Sequence, residues 1–121
     1  MNFWNYIVLL RPTRLGMLVE PTPEEMEAVG DHYNYYKSLV EQGQVLLAGR
    51  TGGDAEQVYG IGIFHAESMV EAERIAQKDP AIVAGVMTAE VQPYGLALLT
   101  ENPHRLPSPL RSHPNPRTMK P

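Results

Sequence analysis

The chain of 121 residues contains no cysteine. That absence excludes disulfides, thiol nucleophiles, thiolate zinc sites and iron–sulfur clusters, and it does not identify a compartment. Long apolar runs are missing as well, none approaching the roughly 18 residues of a membrane span. The short run 6-YIVLL-10 has no charged region before it and no small-residue cleavage site after it, so it reads as a strand rather than a signal. Basic residues are scarce in the body: residues 1–100 hold 13 acidic and 6 basic side chains, whereas 101–121 hold Glu101 against Arg105, Arg111, Arg117 and Lys120. With no basic stripe to meet phosphates, nucleic acid is not an expected partner. The expectation is a cytoplasmic protein without membrane spans.

What is present, 43% hydrophobic and 20% charged residues, suits one globular domain. Residues 4-WNYIVLLR-11 are apolar at both parities and read as a first strand buried on both faces. The connection 11-RPTRLGMLVEPTP-23 is long for a compact domain, the kind of segment that serves as a lid. Thr22-Pro23-Glu24-Glu25 is a capping box with proline at the first helical position. It opens a helix over roughly residues 23–42, with Met26, Val29, Tyr33, Tyr36 and Val40 as its apolar stripe and Gly43 as its stop.

Strands follow at 44-QVLLAGR-50 and 57-QVYGIGIFHA-66, with 51-TGGDAE-56 as a hairpin connection. Ser68-Met69-Val70-Glu71 is a second capping box, and Met69, Ala72, Ile75 and Ala76 form the inner face of a short helix that Pro80 ends. Residues 88-TAEVQPYGLALL-99 read as a fourth strand, its Pro93 suited to an edge or a bulge.

The order β-α-β-β-α-β predicts an α+β, ferredoxin-like βαββαβ sandwich in which helices cover one face of a four-stranded antiparallel sheet. Strands apolar on both faces would leave the other face as a large exposed patch, which predicts a homodimer through that sheet face, with a small-molecule pocket in the space enclosed between the two sheets. The domain is expected over residues 1–100. The segment 101–121, with six of the eleven prolines and no periodicity, reads as a Pro-rich tail, either disordered or an extended arm on a partner subunit.

His32 lies about 60° from the centre of the apolar stripe on the first helix, beside Tyr36 and Leu39, at the border of the core. Asp79 places a carboxylate at the C-terminal end of the second helix, where the macrodipole disfavours an anion by a few tenths to about 1 kcal/mol. Asp79-Pro80-Ala81-Ile82-Val83 also has the form of a new helical turn with Asp79 as N-cap, a role that offsets this cost by about 1 kcal/mol. Tyr33, Tyr35 and Tyr36 are expected to pack the first helix on the sheet, with Tyr35 off the stripe and able to face solvent. Gly60 and Gly62 lie on one strand face and leave space, while Arg11, Arg14 and Arg50 stand at strand ends or in the long loop, where they are candidates to hold a carboxylate or phenolate. His65, His104 and His113 have no metal-ligand spacing, and no motif calls for haem, flavin or another cofactor.

The segments 32-HYNYYKSLVEQGQVLLAG-49, 61-IGIF-64, 68-SMVEAERIAQKDP-80 and 91-VQPYGLAL-98, in this order, resemble the YCII-related family over roughly residues 5–99. The resemblance implies a dimeric α+β barrel, with ferredoxin-like subunits paired sheet to sheet. It also implies an active site made of a histidine on the first helix and the aspartate of the Asp-Pro pair, which map onto His32 and Asp79. The expected chemistry is that of a cofactor-independent lyase or isomerase, with the pair as general base on a small aromatic or lactone substrate. The competing expectation is a non-catalytic small-ligand-binding or accessory domain. The sequence departs from the family pattern at Arg50, where proline is usual, and at Gly60 and Gly62, where polar side chains are frequent.

Overall fold

The computed structural model describes residues 5–100. Its elements run β1 (Asn5–Pro12), a 3-10 turn (Leu15–Leu18), α1 (Pro23–Glu41), β2 (Val45–Arg50), β3 (Gly60–His65), α2 (Met69–Gln77), the one-turn helix α3 (Pro80–Val83) and β4 (Met87–Tyr94). The strands form one antiparallel sheet in the order β2-β3-β1-β4. This is the expected ferredoxin-like arrangement. The expected tail, 101–121, lies outside the described residues. Among the described residues no helix is long and apolar enough to cross a membrane.

Helices lie on one face of the sheet, α1 against β2 and α2 against β1 and β4. Alternation along β1 sends Tyr6, Val8 and Leu10 into the core beneath them, where Phe64 from β3 and Ala72 and Ala76 from α2 complete the packing. The opposite face presents Ile7 and Leu9, half-buried, in register with Ile63 and Ile61. On that face β4 contributes the exposed Thr88, Glu90 and Gln92, so the apolar centre sits on the two inner strands.

Local chemistry sets the ends. The Thr22 hydroxyl accepts from Glu25 N at 3.1 Å while the Glu25 carboxylate accepts from Thr22 N at 2.9 Å, closing the first capping box as expected. The second is half a box: Ser68 accepts from Glu71 N at 3.1 Å, but the Glu71 carboxylate reaches one residue further back, to Glu67 N at 3.3 Å. Helix α1 stops in a Schellman turn, in which Gly43 takes the left-handed φ of 79° and Gln44 N donates to Leu39 O at 2.9 Å.

Three expectations need correction. Strand β3 starts at Gly60 rather than at residue 57; just before it, Thr51 closes the connection, its N donating to Tyr59 O at 2.9 Å and its hydroxyl accepting from Tyr59 N at 3.0 Å. Strand β4 ends at Tyr94, so 95–99 is not strand, while Pro93, which has no N–H for a ladder, is carried within β4 at the sheet edge. The stripe on α1 is rotated by about one residue: Glu25, Ala28, Tyr36 and Leu39 are its buried residues, whereas Met26, Tyr33 and Val40 are exposed. The same rotation turns Tyr35 inward, where its hydroxyl donates to Ile75 O at 2.6 Å and fastens α1 to the end of α2.

Candidate functional site

Asp79 sits where α2 ends and α3 begins, and it is fully buried. Its two oxygens divide the work. Oδ1 accepts from Ala81 N at 2.9 Å as the N-cap of α3, and Oδ2 lies 2.6 Å from Nδ1 of His32 on α1. The sequence thus places a carboxylate at an unfavourable helix end, and the fold surrounds it with two donors that offset this. Because carboxylate oxygens accept, the bond fixes the proton of a neutral imidazole on Nδ1 and leaves Nε2 as the basic nitrogen. The expected pair is therefore a contact across 47 residues of chain.

The histidine side chain keeps 19% of its surface accessible and lines an open cleft of about 1220 Å³ between α1, the 3-10 turn and the β2–β3 end of the sheet. The exposed residues of the α1 stripe face this cleft: Met26, Tyr33 and Val40, with the half-buried Val29, line one wall, and Leu46 and Val58 contribute to another. An apolar wall with a few polar groups is the usual composition of a small-molecule site. Periodicity marked these α1 residues as apolar; which surface they serve depends on the position of β2, which one-dimensional spacing does not encode.

Tyr36 stands one turn beyond His32, with ring centroids 5.1 Å apart, and also lines the cleft. Burial, with the Asp79 carboxylate and Tyr35 nearby, pushes its phenol well above the usual range. Tyr35 is raised too, by burial and by the Asp79 charge. The space expected at Gly62 is already filled: a Cβ there would meet Val8 Cγ1 at 3.2 Å and Tyr36 Cε1 at 3.4 Å. Glycine at this position lets the tyrosine ring lie against the sheet.

The three arginines part company. Arg50, at the end of β2, lines the cleft. Arg14 is committed to Glu25, donating through Nε at 3.0 Å and through its terminal nitrogen, and donates again to Glu20 O at 3.2 Å. Arg11 stacks on the Tyr59 ring at 4.9 Å. Neither Arg11 nor Arg14 is among the residues lining the cleft. Arg14 has a structural task instead: with Thr13, whose N donates to Val86 O at 3.0 Å and whose hydroxyl donates to Gly85 O at 2.6 Å, it pins the segment expected to be a lid. The same ion pair, with the Thr22 amide, holds the Glu25 carboxyl down at about 2. His65 is exposed at the end of β3 and takes no part, and His104 and His113 lie outside the described residues. Among the described residues no group of three or more His, Cys, Asp or Glu is placed to hold a metal.

Fold and site together describe a ferredoxin-like α+β protein in which a histidine backed by a buried aspartate lies in the wall of an apolar cleft. The chain belongs to the YCII-related domain family, whose model matches residues 6–93. Among solved structures it is similar to 5-chloro-2-hydroxyhydroquinone dehydrochlorinase (TftG) from Burkholderia phenoliruptrix AC1100, determined in complex with 2,5-dihydroxybenzoquinone. That likeness has a TM-score of 0.55 at 21% identity and covers 76% of this chain and 95% of the other. No curated protein matches.

Proposed function

We propose that the protein is a small-molecule enzyme of lyase or isomerase type that uses His32 as general base and Asp79 as the group that orients it. The observation that carries this reading is a fully buried carboxylate 2.6 Å from the Nδ1 of a histidine lining an open, largely apolar cleft. Asp79 holds the tautomer and stabilises the imidazolium that forms when Nε2 takes a proton. The apolar walls select a small aromatic or lactone substrate, and Arg50 brings positive charge to the rim for a carboxylate or phenolate. A structural neighbour described as a dehydrochlorinase, bound to a dihydroxybenzoquinone, supports this substrate class. The working unit is a homodimer that covers Ile7, Leu9, Ile61 and Ile63 on the open sheet face, as in a dimeric α+β barrel.

A second reading draws on Asp79 itself, whose two oxygens tie α1 to α3 as a scaffold would need in a non-catalytic ligand-binding domain. One experiment separates them. The purified protein and its His32→Gln variant are incubated with a panel of chlorinated hydroquinones, phenols and lactones, and product is followed by absorbance and mass spectrometry. Turnover that falls at least about a hundredfold in the variant, the usual minimum for loss of a general base, supports the enzyme. Ligand binding without turnover in either protein supports the scaffold.

A further inference from the structure

The phenol of Tyr36 is a feature of the cleft that the general-base reading does not use. Its ring is 5% exposed, and its hydroxyl is shielded from solvent with no hydrogen-bond partner among the described residues. Such an orphan costs about 1–3 kcal/mol, and folds normally avoid it. Here the surroundings favour the arrangement. Gly62 provides the flat surface on which the ring lies, and Tyr35 packs edge-on against it with centroids 5.4 Å apart. His32 and Tyr36 are i and i+4 on α1, and both line the same cleft. Met17 lines this cleft as well. It is buried outside the main core cluster, and its unbranched thioether can swing aside for an entering ligand.

We infer that Tyr36 is a ligand-binding residue whose O–H donates to an acceptor oxygen on the substrate, the oxygen that becomes negatively charged when His32 removes a proton. The inference rests on the general-base reading and narrows it to a substrate class: small cyclic carbonyl compounds with an acidic C–H conjugated to the carbonyl, the cyclohexadienone tautomers of phenols among them. In the step, the C–H electron pair becomes the new carbon–carbon π bond, the carbonyl π pair moves to oxygen, the proton passes to Nε2 of His32, and Tyr36 donates to the resulting enolate or phenolate. Nothing is oxidised or reduced. A donor fixed in a dry site stabilises charge there more strongly than water does, because it needs no reorientation. Burial and the neighbouring Asp79 charge keep the phenol protonated, so it remains a donor at neutral pH.

The test uses two probes of one shape, p-nitrophenolate and p-nitrotoluene, titrated by absorbance and calorimetry against the full chain, Tyr36→Phe and His32→Gln. The expected result is that Tyr36→Phe weakens p-nitrophenolate binding about tenfold or more, the loss of one charge-assisted hydrogen bond, and leaves p-nitrotoluene within about twofold. Equal weakening of both probes, or of neither, overturns the inference, as does the absence of saturable p-nitrophenolate binding by the unmodified chain. Phenylalanine retains the ring on Gly62, and a melting curve within a few degrees of the parent excludes loss of fold as the cause. The two readings fail separately. Selective loss of phenolate affinity in Tyr36→Phe, with no compound in the substrate panel turned over, removes the base and keeps the donor; turnover that depends on His32 with unchanged phenolate affinity in Tyr36→Phe does the reverse.

Discussion

Replacing Asp79 separates its two tasks. In Asp79→Ala, Ala81 N loses its cap and His32 Nδ1 loses its acceptor in one step. A lost N-cap costs about 1 kcal/mol, and an imidazole N–H left in a part-buried position costs about 1–2 kcal/mol more, so urea unfolding should show a loss of about 2–3 kcal/mol. Asp79→Asn behaves differently. Its amide oxygen still caps α3, and removal of the charge from the end of α2 returns a few tenths of a kcal/mol, so the net loss should stay below about 1 kcal/mol. The amide nitrogen, however, now points a donor at Nδ1. The imidazole must accept there and carry its proton on Nε2, the nitrogen proposed to act as base. Nitrogen-15 shifts of the His32 ring should therefore report the Nδ1-H tautomer in the parent and the Nε2-H tautomer in Asp79→Asn, and any general-base activity should drop by about 10²–10⁴. The reasoning fails if Asp79→Ala and Asp79→Asn are equally stable, or if the tautomer does not change.

The fold was legible because its signals are local. Thr22-Pro23-Glu24-Glu25, Asp79-Pro80 and Gly43 each determine a helix end through contacts within a few residues, and the order of elements follows from them. The His32–Asp79 contact was not written in composition or spacing; the Asp-Pro pair marks a cap, and only the family resemblance joins it to a residue 47 positions away. Helix α1 shows the limit most clearly. Its apolar residues outnumber what the core can take, so a stripe drawn through Met26, Tyr33 and Val40 marks the cleft wall, while the core side is completed by Ala28 and Leu39. The role of Arg14 could be read only after the fold brought it to Glu25, since no spacing rule links a loop arginine to the first turn of the next helix.

Gly62→Ala should destabilise by about 1 kcal/mol, because its Cβ would sit 3.2 Å from Val8 and 3.4 Å from Tyr36, whereas Gly60→Ala, with contacts no closer than 3.5 Å, should be nearly silent; thermal melts that rank the two the other way would refute the packing. The Glu25 carboxyl is depressed to about 2, so the stability it contributes is present above the ordinary glutamate value of about 4.3 and is lost as pH falls through about 2; Glu25→Gln should flatten the acid unfolding curve in that window, and an unchanged curve would mean the Arg14 pair does not form in solution. The open sheet face gives the last prediction. Leu9 lies between Ile61 and Glu90 at the centre of that face, and in a sheet-to-sheet dimer a lysine there would bring an ammonium group into an apolar contact, where an unpaired charge is too costly to bury. In a monomer the same lysine would extend into water at almost no cost. Sedimentation at micromolar concentration should therefore show a dimer for the parent chain and a folded monomer for Leu9→Lys; a monomeric parent, or a dimer unaffected by the lysine, would place the subunit contact elsewhere.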